Sequence, residues 1–106
     1  MLGFSALADP NRQRIMALLS AGERCAGDIA ERLDMTPPAI SQHLKVLREA
    51  GVVTVRPERQ QRFYAVDERA LEDMAEWLAR IGGFWNDRLD RLERKLKEDK
   101  RHGSDG

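Results

Sequence analysis

A chain of 106 residues with 18 Lys and Arg against 18 Asp and Glu, two histidines and the single Cys25 has room for one domain with a modest core. It holds no apolar run of about 18 residues, no basic-then-apolar leader, and too few thiols for a disulfide or a zinc knuckle, so a reducing, cytoplasmic setting without cofactor or metal is expected. The zero net charge is unevenly spread: over 36–66, Lys45, Arg48, Arg56, Arg59 and Arg62 stand against Glu49 and Glu58, an excess of +3, while 1–35 carry −1 and 67–106 carry −2. A basic middle between acidic ends suits a partner rich in phosphate.

In chain order, Leu2, Phe4 and Leu7 form an apolar lead-in of one or two helical turns. Asp9-Pro10 is an N-cap followed by proline at the first helical position, opening a helix with Ile15, Leu18 and Leu19 on its buried stripe and Gly22 after its end. Ile29, Ala30 and Leu33 mark one face of a short second helix from about residue 26 to 33. Asp34-Met35-Thr36 then reads as a tight turn, and Thr36 before Pro37-Pro38 is a strong start signal, since its hydroxyl caps amides while the prolines sit where no intrahelical donor is needed. The third helix begins near Pro37, buries Ile40, Leu44 and Leu47, and stops at Ala50-Gly51.

The β-branched stretch 52–56 predicts a strand, 57–61 a polar turn and 62–66 the returning strand of a hairpin. Asp67 caps a long helical segment in which Leu71, Met74, Leu78, Ile81, Trp85, Leu89, Leu92 and Leu96 recur every three or four residues. One small domain cannot bury so long a seam. Together with Leu2, Phe4 and Leu7 it predicts a subunit interface, and Gly82-Gly83 leaves open whether the segment is one helix or two. The whole is mainly α with a two-stranded β wing: a winged helix-turn-helix over 1–100, with the helix-turn-helix at 26–50, the wing at 52–66, a C-terminal helical segment at 67–99 and a disordered tail at 101–106.

Two short helices at a tight turn leave Pro38, Ser41, Gln42, Lys45 and Arg48 facing away from the core. Such a helix fits the major groove, where Gln bonds adenine bidentately, Ser reaches base edge or phosphate, and Lys or Arg reaches guanine or phosphate. Gln42 leads for sequence readout. A helix face of this kind can be merely solvated, but the hairpin behind it favours DNA, because Arg56, Arg59, Gln60, Gln61 and Arg62 surround a tip suited to a phosphate backbone or a minor groove. Charges on an edge strand also guard against aggregation. His43 lacks a second histidine or cysteine at ligand spacing, so a hydrogen bond to phosphate or to local structure is its expected role. Trp77 and Trp85 read as packing residues, and Cys25 at a helix start as inert, with a thiol switch as the alternative.

The stretches "LADPNRQRIMALL", "PPAISQHLKVLREAGVV" and "RFYAV" resemble the ArsR/SmtB family of bacterial winged-helix repressors over nearly the whole chain. The resemblance implies a homodimer joined by the first and last helices, repression by occupying an operator in double-stranded DNA, and DNA contacts at Thr36, Pro38, Ser41, Gln42, His43 and Lys45, with Arg56 and Arg62 in the wing. It departs from metal-sensing relatives. "CAGD" has Gly27 where they carry a second thiol, and no histidine lies between Asp67 and Arg101. "ERQQ" replaces the usual wing-tip glycine, Pro37 replaces a common glutamine, and the ending "FWNDRLDRLERKL" is similar to a branch that senses no metal. The rival readings are a winged helix that contacts protein rather than DNA, and a redox-sensing repressor using Cys25; no nucleophile–base or carboxylate pair suggests an enzyme.

Overall fold

The computed structural model describes the backbone of residues 2–104 and the side chains of residues 3–98. It divides into two compact units, Met1–Met74 and Ala75–Gly106. The first holds α1 (Leu2–Ala6), α2 (Pro10–Leu19), β1 (Arg24–Cys25), α3 (Ala26–Leu33), α4 (Pro37–Glu49), β2 (Val53–Glu58) and β3 (Gln61–Val66); α5 (Glu68–Ser104) begins in it and forms the second.

Helices α2 and α4 start where side-chain caps place them. Asp9 accepts from the Arg12 amide at 3.0 Å, and Thr36 Oγ1 from the Ala39 amide at 3.3 Å, so each cap satisfies an amide that has no partner within its helix. The turn between α3 and α4 closes when Asp34 takes a left-handed backbone (φ 52°), the Met35 amide donating to Ala30 O and the Asp34 amide to Glu31 O. A short polar side chain tolerates that conformation better than most. The carbonyls ending α1 are covered from α2: Arg12 Nε donates to Ala6 O and Gln13 Nε2 to Leu7 O at 2.7 Å.

Ile15 and Leu19 of α2, Ile29 of α3, Ile40, Leu44 and Leu47 of α4, and Val52 and Val53 form the core of the first unit. Met74, expected at a subunit interface, is instead 8 % exposed within this core, and Phe4, Leu7 and Leu71 pack against it half-buried. The reason is close approach: a Cβ on Gly3 would lie 2.9 Å from Met74 Sδ and 3.2 Å from Val52 Cγ1, so α1 settles onto the first turns of α5 because Gly3 has no side chain. Leu2 lies outside the described side chains.

The sheet differs from the expected hairpin in two ways. A third strand, β1, pairs with β3, giving the order β1-β3-β2. The connection also shrinks from five residues to two, Arg59 and Gln60, because β2 continues through Pro57 and Glu58, which pair with Arg62 and Gln61. Proline is tolerated there because β2 is an edge strand. Arg59 takes φ 56°, the left-handed conformation usually left to the glycine that this wing lacks.

In the second unit the open question at Gly82-Gly83 resolves to one uninterrupted helix, which also takes in residues 101–104 of the expected tail; charged helix formers on both sides carry it through. Asp105 and Gly106 lie outside the described residues. Leu78, Trp85, Leu89, Leu92 and Leu96 are each more than half exposed, and Ile81 is half-buried.

Candidate nucleic-acid interface

The burial of Ile40, Leu44 and Leu47 decides which way the rest of α4 points. Pro38, Ser41, Gln42, Lys45 and Arg48 are exposed, with Thr36 at the helix mouth. Pro38, Ser41, Gln42, Lys45 and Arg48 line one wall of an open cleft of about 790 Å³ whose other wall is the wing, through Arg62 and Tyr64. Glu49 is the one carboxylate residue lining it, against Lys45, Arg48 and Arg62. Side chains alternate across a strand, so Arg62 and Tyr64 share the helix-facing side of β3. No motif marks Tyr64 in the sequence; its spacing of two from Arg62 is the signal that places it on this wall.

Among the described residues, Lys45, Arg48, Arg59 and Arg62 form no salt bridge and no side-chain hydrogen bond, whereas Arg12, Arg14, Arg24, Arg32 and Arg56 are engaged within the fold. Exposed cations left unpaired within the fold are available to phosphate. Arg59 and Gln60 occupy the exposed wing tip.

Two expected contacts are placed differently. Arg56 lies on the other face of the sheet, opposite Phe63, where its guanidinium bonds Glu23 at 2.6 Å and 3.3 Å, pairs with Glu58 at 3.3 Å and sits 5.1 Å from the Phe63 ring centroid. The hydrogen bond from Arg56 holds Glu23 below its ordinary pKa, and Glu23 in turn raises that of Arg56. His43 is half-buried, with Nδ1 turned inward, 4.0 Å from the Asp9 carboxylate and without a hydrogen bond. The side chain therefore faces the cap of α2 through one nitrogen. Asp9 itself is held low first by the Arg12 amide.

Cys25 is half-buried at the start of α3, its backbone paired with Phe63. Among the described residues no three His, Cys, Asp or Glu side chains are grouped to hold a metal ion, and no helix is long and apolar enough to cross a membrane.

This arrangement has relatives. Residues 9–55 match the family described as "Bacterial regulatory protein, arsR family". The chain is 37 % identical over 75 residues to the transcriptional repressor SdpR of Bacillus subtilis, covering 71 % of this chain and 83 % of SdpR. An ArsR-like transcriptional regulator from Rhodococcus sp. RHA1 superposes with a TM-score of 0.75 at 31 % identity, over 86 % of each chain. A homodimeric winged helix-turn-helix DNA-binding domain from Mycobacterium bovis, described as a possible ArsR-family transcriptional regulator, gives 0.63 at 30 % identity, over 74 % of this chain and 75 % of that one. The chain belongs to the arsR family of bacterial regulatory proteins.

Proposed function

We propose that this protein is a homodimeric, cytoplasmic transcriptional repressor that occupies operator DNA and catalyses no reaction. The observation that carries this reading is the cleft itself: an exposed polar helix face and a wing arginine, with unpaired cations on both walls. Placing α4 in a major groove brings Ser41 and Gln42 to base edges and leaves Thr36, Pro38, Lys45 and Arg48 along its flanks, while the ridge of phosphates enters the cleft toward Arg62. Arg59 and Gln60 reach the flanking backbone or minor groove.

A second copy covers the stripe of Leu78, Ile81, Trp85, Leu89, Leu92 and Leu96, as the dimeric state of the Mycobacterium bovis domain supports. Two recognition helices then read half-sites about 10 bp apart or slightly more. SdpR is named a repressor, which supports the same sign of regulation here.

Footprinting the DNA upstream of the protein's own gene tests the reading, followed by titration of the protected sequence with the Gln42→Ala variant. The wild type protects a two-fold symmetric site, and the variant loses affinity there but not on random DNA. Equal loss on both sequences removes Gln42 as the base reader, and no protection at any DNA favours the protein-contact alternative.

A further inference from the structure

The wing carries three arginines, and their placement on the sheet divides them. Register pairs Arg56 with Phe63 on β3, and Phe63 with Cys25 on β1, so Arg56 begins a rung that crosses all three strands. Its guanidinium passes over the Phe63 ring and ends on Glu23, beside the far edge strand. One side chain thus bridges the two edges of the sheet and ties the wing to the residue that precedes β1 and α3. Arg62, opposite Pro57, projects from the other face, into the cleft.

Charge separates them further. Arg56 is shared between Glu23 and Glu58, so its surroundings are net negative and repel a phosphate. The bonding also needs an arginine: Nε and Nη2 engage Glu23 while Nη1 engages Glu58, and the planar group lies over an aromatic ring.

We infer that Arg56 is a positioning residue, a clasp that fixes the wing against β1 so that Arg62 stays opposite Lys45 and Arg48, and that it makes no phosphate contact itself. The DNA charge of the wing is then that of Arg59 and Arg62. The inference rests on the DNA-binding reading above, and the test separates their failures, because wild-type binding is measured first.

Affinity for the protected operator is measured against salt concentration for the wild type, Arg56→Ala, Arg56→Lys and Arg62→Ala. The slope of log affinity on log salt reports phosphates neutralised in the complex; a wing freed of its clasp still brings Arg62 to its phosphate there, and loses affinity through the cost of ordering the wing on binding. Arg62→Ala lowers the slope by roughly 1.8, for two phosphates per dimer at about 0.9 each. Arg56→Ala and Arg56→Lys both keep the wild-type slope and both lose affinity to a similar extent, on the order of two- to five-fold as for an exposed ion pair, since lysine cannot form the fork. A slope that falls in Arg56→Ala and is restored in Arg56→Lys overturns the inference.

Glu23→Ala provides an independent arm that leaves Arg56 in place. It weakens binding as Arg56→Ala does, and the double variant is no weaker than either single one. Tighter binding by Glu23→Ala would instead mean that Glu23 masks a phosphate ligand. Absence of wild-type binding would defeat the DNA reading rather than the clasp.

Discussion

Residues 3–74 and residues 75–98 are built from similarly amphipathic sequence, yet they solve the problem of apolar surface in opposite ways. The first stretch folds short helices and a sheet back on one another, and Ile15, Ile29, Ile40 and Leu47 are left with no exposed surface. The second is a single helix whose apolar stripe stays more than half exposed at Leu78, Trp85, Leu89, Leu92 and Leu96. Turns and caps let a chain bury its own side chains, whereas an uninterrupted helix cannot fold back on itself. On the proposed function, the difference divides the labour: one region reads DNA, and the exposed stripe of the other is the surface that brings two readers together.

The comparison breaks most visibly if the stripe is made polar. Leu89→Asp with Leu92→Asp gives a monomer by sedimentation and lowers affinity for the two-fold site by about 100-fold or more, through lost effective concentration. The winged unit of this variant keeps its fold by NMR, because Leu89 and Leu92 lie outside its core. Next in size, Ile40→Ala removes a fully buried side chain and costs roughly 2–5 kcal/mol in denaturant unfolding, with loss of binding to every sequence. Gln42→Ala, on the exposed face of the same helix, leaves stability unchanged and costs about 1–3 kcal/mol of operator affinity, relaxing preference at one base pair.

Smaller effects sharpen the picture of the wing and its surroundings. Arg59→Gly relieves a left-handed arginine and stabilises the fold by roughly 1 kcal/mol, while weakening binding to all DNA through the lost tip cation. The pH dependence of stability reflects Asp28, held low first by its hydrogen bond from Arg24 and then by that from Arg32, and Glu23, held low first by Arg56. These carboxylates prefer the ionised form in the folded state. Their contribution is therefore complete above the ordinary values of 3.8 and 4.5, and is lost as pH falls through the lower folded values. Thermal melts between pH 6 and pH 2 show this loss, and it diminishes in Asp28→Asn.

Much of this was legible in the sequence because local chemistry decided it. Asp9 and Thr36 announce helix starts through hydrogen bonds spanning three residues, Pro37-Pro38 through their fixed φ, and the spacing of Ile40, Leu44 and Leu47 identifies the buried face of α4 and hence the exposed one. The wing register was not legible. A turn placed at 57–61 hides the pairing of Arg56 with Phe63, and only the observed two-residue turn shows that Arg56 and Arg62 leave the sheet on opposite faces. The bond from Arg56 to Glu23 joins positions 33 apart, and β1 is two residues long, too short to carry a pattern. The stripe of α5 was legible as apolar, but its division was not: Met74 belongs to the core because Gly3 lets α1 approach it, which no periodicity in α5 reveals.

The division of labour is tested most directly by titrating the wild type and the Leu89→Asp, Leu92→Asp variant against the full operator and a single half-site. The account predicts that the two proteins bind the half-site alike and that the wild type gains about 100-fold or more on the full site, a gain the variant lacks. Equal gain in both proteins would show that dimerisation lies elsewhere. Loss of half-site binding in the variant would show that the winged unit does not read DNA independently of the stripe.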